Sequence, residues 1–431
     1  MSCKHHRVAA LSLLLIALVL ALLLGEGLLR VAGQSYYWAV AKRVDPVLGW
    51  RPPPQIRAWQ RFEGAALVET NTLGFRDIDH ARRKPPGTLR VAVLGDSFTE
   101  AVQVPLHETW WRVMAERLNG DICPVTAEFQ ALNFAVSGWS TAQSLLAWRE
   151  HAARFAPDFA VLAFFIGNDF TENHPALNAE PLRPYFRLDA GQLALDAGFR
   201  RQPAYRRATS TLGRARQWLL EHSRIAQLAV QTRDAMRLRG LAGQAAVGSR
   251  PSEPEVPSEP GVDNAVYRPP AHGAWEQSWA VTEAMLGAFA AETRADGATP
   301  VLMLIGTGVQ VHPEARVSAR FAAALGVSDL GYPVRRLLDI AERLDLTVLN
   351  LPALLADYAE REGLLLHGFV GGRPGLGHWN PAGHRAAGDA AAALICALAG
   401  DARAGRAQTG PLPKTGGAAA ARLLPQRSAE P

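Results

Sequence analysis

Cysteine is scarce, with three in 431 residues. Cys3 precedes an apolar run, while Cys123 and Cys396 fall in the body of the chain. No CxxC pair occurs, so neither a disulfide-stapled scaffold nor a cysteine metal knuckle is available. A Cys123–Cys396 bridge is open to the chain only outside the cytoplasm, and buried free thiols are the expected state. HExxH is also missing. A zinc site built from His367, His378 and His384 would have the wrong spacing and no acidic ligand in line. Charge is sparse: charged residues make up 20% of the chain and the net charge is only +5, so charge alone gives no nucleic-acid role. With 48% hydrophobic residues, a sizeable core can form.

What is present begins with an uncharged stretch from Val8 to Gly25, "VAALSLLLIALVLALLLG". As a helix it would span about 27 Å, close to the thickness of a bilayer's hydrocarbon core. Lys4, His5, His6 and Arg7 precede it, which places the N-terminus in the cytoplasm and the rest outside. The run is longer than a signal-peptide core, so residues 1–30 are read as a retained anchor. The expected location is the inner (cytoplasmic) membrane, single-pass, with the catalytic domain in the periplasm.

Residues 31–88 are Pro-rich and broken up, a lead-in expected to pack on the following domain. From Leu89 a regular alternation starts. "LRVAVLG", "EFQALNFAV" and "DFAVLAFFI" read as buried strands, separated by "ETWWRVMAERL" and "STAQSLLAWREHAARF" at helical spacing. The pattern breaks at about 172–272 and resumes with the helix "AWEQSWAVTEAMLGAFAAETRA", the strand "PVLMLIG", a helix near Pro333–Leu344, the strand "LTVLNL" and a final helix, Pro381–Leu398. Alternating strands and helices imply an α/β domain over 89–400 with a parallel sheet.

Within the break, residues 200–239 hold ten arginines against Glu221 and Asp234, with Leu212, Leu219, Ile225 and Leu228 at rough helical spacing. The plain reading is a solvated, basic-faced cap helix. The sharper one is a surface for anionic head groups or an anionic polymer. Residues 248–264, with "PSEPEVPSEPG", are read as disordered, as is the tail, 401–431. "LPKTG" (412–416) lacks the spanning segment a sortase signal needs and is read as coincidence.

Four separated segments fall where strands or the last loop end: "GDSF" (95–98), "SGWS" (137–140), "GND" (167–169) and "GHWN" (377–380). In a parallel sheet such carboxyl ends share one edge, where ligands bind. Each alone is ordinary turn chemistry. Together they suit acyl transfer. Ser97 would be an exposed nucleophile. Its own N–H, the Gly138 N–H and the Asn168 side-chain amide would receive an oxyanion. His378 would take the serine proton, held still by a helix start with Asn380 as N-cap and Pro381 at N1. Asp96, Asp169 and Trp379 are read as supporting neighbours, and His384 as structural. No metal or cofactor is expected.

This set, GDSF, SG, GND and HWNPAGH, resembles the SGNH (GDSL-type) hydrolase superfamily over roughly Val44 to Leu398, apart from the break. "DPVLGWR" and "NTLGFRD" look like the lead-in of its membrane-anchored bacterial members. The resemblance implies a flavodoxin-like three-layer α/β/α sandwich and ester hydrolysis or acyl transfer. It places the nucleophile at Ser97, the oxyanion donors at Gly138 and Asn168, and the base at His378. GxSxG, the mark of the ordinary α/β-hydrolase, is absent. One departure matters. In the superfamily an Asp usually lies three residues before the histidine, where this chain has Gly375. The expected site is therefore a Ser–His dyad with a backbone carbonyl fixing the tautomer, or a triad whose acid is displaced, with Asp357, Glu360 and Glu362 as candidates. The expected activity is a serine esterase acting on an acyl ester of a lipid or surface glycan, with the membrane as partner through the N-terminal helix. A polysaccharide O-acetyltransferase at the same site and an inactive tethered scaffold are the alternatives.

Overall fold

The computed structural model describes residues 2–120, 122–248, 258–271 and 273–403 of the chain. The five strands of its central sheet are β1 (Thr88–Leu94), β2 (Glu128–Asn133), β3 (Phe159–Phe165), β4 (Thr299–Ile305) and β5 (Thr347–Asn350). All pair in parallel, in the order β5-β4-β3-β1-β2. That is the flavodoxin-type order, in which the chain first winds one way and then the other. The central strands β3 and β4 are almost wholly apolar because both faces are covered, while the edge strand β2 carries Glu128 and Gln130. Ala92 and Leu94 of β1 point into one cluster of buried residues, and Val91 and Val93 into the other.

The helices include α1 (Ser2–Val31), α2 (Trp110–Asn119), α3 (Thr141–Glu150), α4 (Thr211–His222), α5 (Arg224–Gly248), α6 (Gly273–Ala295), α7 (Tyr332–Arg343), α8 (Leu351–Glu362) and α9 (Pro381–Arg403). Residues of α3, α6 and α7 fill the core on one face of the sheet, and those of α2, α8 and α9 fill it on the other. The three-layer sandwich expected from the sequence is present. α8 and the helix Ala315–Leu325 have no counterpart in the sequence reading. α1 is long and apolar enough to cross a membrane, and its side chains from His5 to Leu24 are exposed.

The lead-in is more ordered than its composition suggests. It forms two antiparallel pairs, Arg43–Asp45 with Gly49–Arg51 and Arg57–Gln60 with Ala66–Glu69. The second packs with Tyr37, Ala41 and Val102 in a small cluster of its own. Disorder over 248–264 needs correction. Residues 249–257 lie outside the described residues, but 258–264 are placed and Glu259 is buried. Its carboxylate accepts from the backbone N–H groups of Gly308 (2.8 Å), Val309 (3.1 Å) and Gly377 (3.3 Å). Three N–H donors offset the cost of burying a carboxylate. At the tail, α9 runs through Arg403, and 404–431 lie outside the described residues.

The two body cysteines are not free thiols. Cys123, just beyond α2, is bonded to Cys396 on α9, with Cα atoms 5.6 Å apart and 273 positions between them in sequence. The expectation failed because sequence separation says nothing about which surfaces α2 and α9 share. A cross-link closing so long a loop restricts the unfolded chain and contributes about 2–5 kcal/mol. The double variant Cys123→Ser/Cys396→Ser is expected to lose that much in denaturant unfolding, and the wild type to lose it on reduction. An unchanged midpoint in both would show that the bridge carries no stability.

Candidate active site

β1 ends at Leu94 and the chain turns sharply at Gly95, whose φ is +150°. A Cβ there would stand 2.9 Å from the Ala163 carbonyl of the neighbouring strand, so only glycine fits. The Asp96 carboxylate then accepts from Phe98 N (2.9 Å) and caps a single helical turn, Ser97–Glu100. Ser97 is thereby held, half-buried, at the strand's carboxyl end.

His378 approaches from the last loop. Its Nε2 lies 2.8 Å from Ser97 Oγ. Asn380 Oδ1 accepts from Ala382 N (3.0 Å) and Gly383 N (3.1 Å), and Asn380 Nδ2 donates to Leu365 O (2.7 Å), which pins the start of α9. Trp379 is fully buried. Its ring meets Phe98 edge-on at 5.1 Å, and Phe98 in turn packs 5.1 Å from the His378 ring. His384 is buried one turn into α9, where burial pulls its imidazole down to about 3, in keeping with a structural role. His367 donates through Nδ1–H to Gly377 O (2.6 Å). Among the described residues, His367, His378 and His384 do not group as metal ligands.

The second contact of the His378 ring is what the sequence did not reveal. His378 Nδ1 lies 2.5 Å from Glu63 Oε2, and the His378 backbone N–H donates to Glu63 Oε1 at 3.0 Å. Glu63 sits in the turn joining Arg57–Gln60 to Ala66–Glu69. An ionised carboxylate can only accept, so Nδ1 carries the proton and Nε2 is left to accept from the Ser97 hydroxyl. That is the tautomer a base needs. A displaced carboxylate therefore stands where the dyad reading put a backbone carbonyl, and the contacts run from Glu63 through His378 to Ser97. Asp357, Glu360 and Glu362 stay on α8, and Glu362 receives Arg361 instead. Gly375, in the place usual for the acid, is a left-handed turn with φ +83°. A local accommodation of Glu63 is seen at Gly377. A Cβ on it would stand 2.6 Å from Glu63 Oε1, so its lack of a side chain admits the carboxylate.

The remaining predicted residues fall as the topology requires. β1 lies between β2 and β3, so the loops after those strands flank Ser97 on either side. Gly138 has φ +76°, a conformation that favours glycine. Among the described residues, the Ser97 N–H, the Gly138 N–H and the Asn168 side-chain amide donate to no protein group. Asp169 is buried behind Asn168 and accepts from Phe165 N at 2.7 Å. Burial raises the carboxyl of Asp96 to about 6, against the pull of the Phe98 N–H and His378, and holds that of Asp169 well above its ordinary value, with Asp96 and Glu172 adding to it.

Supports unseen in the sequence hold the Gly138 loop. Glu100 accepts from Ser137 N (2.7 Å), from the Ser137 hydroxyl and from the Tyr37 hydroxyl. Arg183, from the break, donates to Gly138 O (2.8 Å) and pairs with buried Glu172 at 3.0 Å. None belongs to a short motif, and each reaches the loop from a distant segment.

No family model matches the chain, and no curated protein matches it. Among solved structures, TesA is similar at 13% identity and a TM-score of 0.33, covering 71% of this chain and 97% of that one. LAE5, an alpha/beta hydrolase from the metagenome of Lake Arreo, Spain, is similar at 13% identity and a TM-score of 0.33, covering 70% and 94%. Axe2, an acetylxylan esterase from Geobacillus stearothermophilus, follows at 12% and 0.32, covering 75% and 97%. At such scores these likenesses add nothing to the geometry above.

Burial raises the Glu63 carboxyl, but the hydrogen bonds and charge of His378 outweigh it and hold it below its ordinary value. A depressed carboxyl contributes stability above its unfolded pKa, lost as pH falls through the folded one. Replacing it with an amide leaves the ring free to take the wrong tautomer. If the relay is catalytic, Glu63→Gln should lower kcat by about 10⁴ while the circular dichroism stays native. It should also flatten the acid limb of the stability profile. Wild-type kcat in Glu63→Gln would remove Glu63 from the chemistry.

Proposed function

We propose that the protein is a serine esterase tethered to a membrane and working outside the cytoplasm. The observation that carries this is the line of contacts from Glu63 through His378 to Ser97, at the sheet edge where the loops bearing Gly138 and Asn168 flank the strand that leads to Ser97. Ser97 Oγ attacks the carbonyl carbon of an acyl ester, and His378 Nε2 takes the hydroxyl proton. The imidazolium that forms faces the Glu63 carboxylate. The carbonyl oxygen becomes an oxyanion facing Ser97 N, Gly138 N and the Asn168 amide, each worth ~3 kcal/mol of barrier. His378 returns its proton to the leaving alcohol, and a water activated by the same nitrogen releases the acyl group from Ser97. The site uses no cofactor and no metal.

The gap that favoured an inactive scaffold is filled by Glu63. The substrate is an acyl ester of a lipid or surface glycan, which a domain tethered at a membrane would meet. α1 spans the inner membrane once, with Lys4 to Arg7 on the cytoplasmic side. The Cys123–Cys396 bridge supports a periplasmic domain, since such bonds persist in oxidising compartments.

Full-length protein in detergent should hydrolyse short p-nitrophenyl esters. Ser97→Ala and His378→Ala should each lose about 10⁴-fold or more. A wild type that turns over no ester and leaves Ser97 unlabelled by a fluorophosphonate would end this proposal. With a polysaccharide acceptor added, acetyl transfer in place of release to water would make the enzyme an O-acetyltransferase.

A further inference from the structure

α4 is built inside out for a soluble helix. At 3.6 residues per turn, Leu212, Ala215, Trp218 and Leu219 fall on one arc, with Arg216 at one edge and Arg214 at the other. That arc faces outward: Leu212 is 81% exposed, Trp218 60% and Leu219 48%, and Ala215, Arg214 and Arg216 are exposed too. The opposite side, with Leu220 buried and Gln217 and Gly213 half-buried, faces the protein. A helix in water normally turns its apolar stripe inward. The preceding helix, Pro203–Thr209, adds exposed Arg206 and Arg207. The acidic residue of α4, Glu221, is largely covered, 3.9 Å from Arg43.

The height of this surface is fixed by α1. Glu26, directly after the uncharged run, accepts from Ser223 Oγ (3.0 Å), Arg224 N (2.9 Å) and Ile225 N (3.1 Å). It thus caps the start of α5. Arg30 donates to the carbonyl of His222, the last residue of α4. When Val8–Gly25 crosses the bilayer, Glu26 and Arg30 lie at the head-group layer, and the α4–α5 junction lies there with them. α4, about 18 Å long, ends at that level.

The geometry points to α4 as a membrane-surface helix: its Leu212–Trp218–Leu219 face enters the boundary between head groups and acyl chains, and Arg206, Arg207, Arg214 and Arg216 meet the phosphates of anionic lipid. Tryptophan suits that boundary, and arginines beside an apolar arc are the pattern of interfacial helices. The catalytic domain is then held against the bilayer at two points, α1 and α4. The inference rests on α1 spanning the membrane and is independent of the esterase chemistry.

The test uses full-length protein with Cys3→Ser and Leu212→Cys, labelled at position 212 with a nitrobenzoxadiazole fluorophore. The protein is placed in nanodiscs of phosphatidylglycerol and phosphatidylcholine. The expected result is blue-shifted emission that is lost when the lipids carry nitroxides near the head group. Each arginine near an anionic surface is worth about fivefold in contact. Quenching should therefore weaken in discs of phosphatidylcholine alone, and when the four arginines become serine. Trp218→Glu with Leu219→Glu should abolish it, which separates docking by the helix from affinity of the dye. Water-like, unquenched emission from protein that resists alkaline extraction would overturn the proposal. So would shielding of the label by a soluble anionic polysaccharide with no quenching by lipid. Extraction of the protein by alkali would overturn the spanning role of α1 and this proposal with it.

Discussion

One carboxylate holds the site together. Glu63 grips His378 twice, at the ring and at the backbone N–H, so it fixes both where the residue sits and which ring nitrogen is protonated. The Glu63 and His378 side chains remain 25% and 28% exposed, so their attraction is screened. The gain lies in geometry more than in raw energy: two bonds to one residue leave the imidazole little freedom to turn. The neighbourhood is shaped to permit this. Gly377 has no side chain where the carboxylate must lie, and Gly64, beside Glu63 at φ +66°, turns the chain against the Gln103 carbonyl.

Beneath the site the protein buries an uncommon amount of charge. Asp96, Glu100, Asp169 and Glu172 are all buried, and Arg76 and Arg183 are the buried guanidiniums beside them. Burial raises Glu172 to about 8, against the pull of Arg183, and raises Glu100 also. An apolar floor would be at least as stable, since desolvation offsets most of what buried ion pairs gain. What the charges supply is direction. Glu100 orients Ser137, Arg183 holds the Gly138 carbonyl, and Asp96 caps the turn that carries Ser97. Arg76 ties the end of that turn through Glu100 O (2.9 Å) and Val104 O (2.6 Å). An apolar side chain could fill the same volume but could not aim these backbone groups.

The sheet was legible because its strands are covered on both faces, which leaves continuous apolar runs such as "FAVLAFF". Ser97 and His378 were legible because the topology of a parallel sheet brings strand ends together whatever lies between them. Glu63 was not. It lies 315 positions from its partner, in a Pro-rich stretch that also holds Glu69, and no local pattern marks it. The strands beside it have three or four residues, too short to show an alternation. Glu259 was misjudged for a related reason. Composition measures how poorly a segment can bury itself, not whether a distant loop offers three N–H groups to one of its carboxylates. The disulfide was open in the sequence and settled only by the packing of α2 against α9.

The same N-terminal segment carries both α1, long and apolar enough to cross a membrane, and the Glu63 carboxylate, which ties the helix to the site. Between them the chain is not a slack leash. The N–H of Tyr36 donates to buried Gln227 of α5 (3.2 Å), Tyr37 is fully buried with its hydroxyl on Glu100, and the Trp59 N–H donates to Ser35 Oγ (3.0 Å). Each contact leads inward: from the anchor's end to the arginine-rich break, from there to the floor of the Gly138 loop, and on to the hairpin that presents Glu63. Had the acid stayed at position 375, the α/β domain could have completed its own relay. With the acid on the lead-in, the domain lacks an orienting group for His378 until that segment docks. Docking buries Tyr37 and Val68 in the cluster that supports the Glu63 hairpin. His378 therefore meets Glu63 on a segment that is itself fixed to α5 and to Glu100.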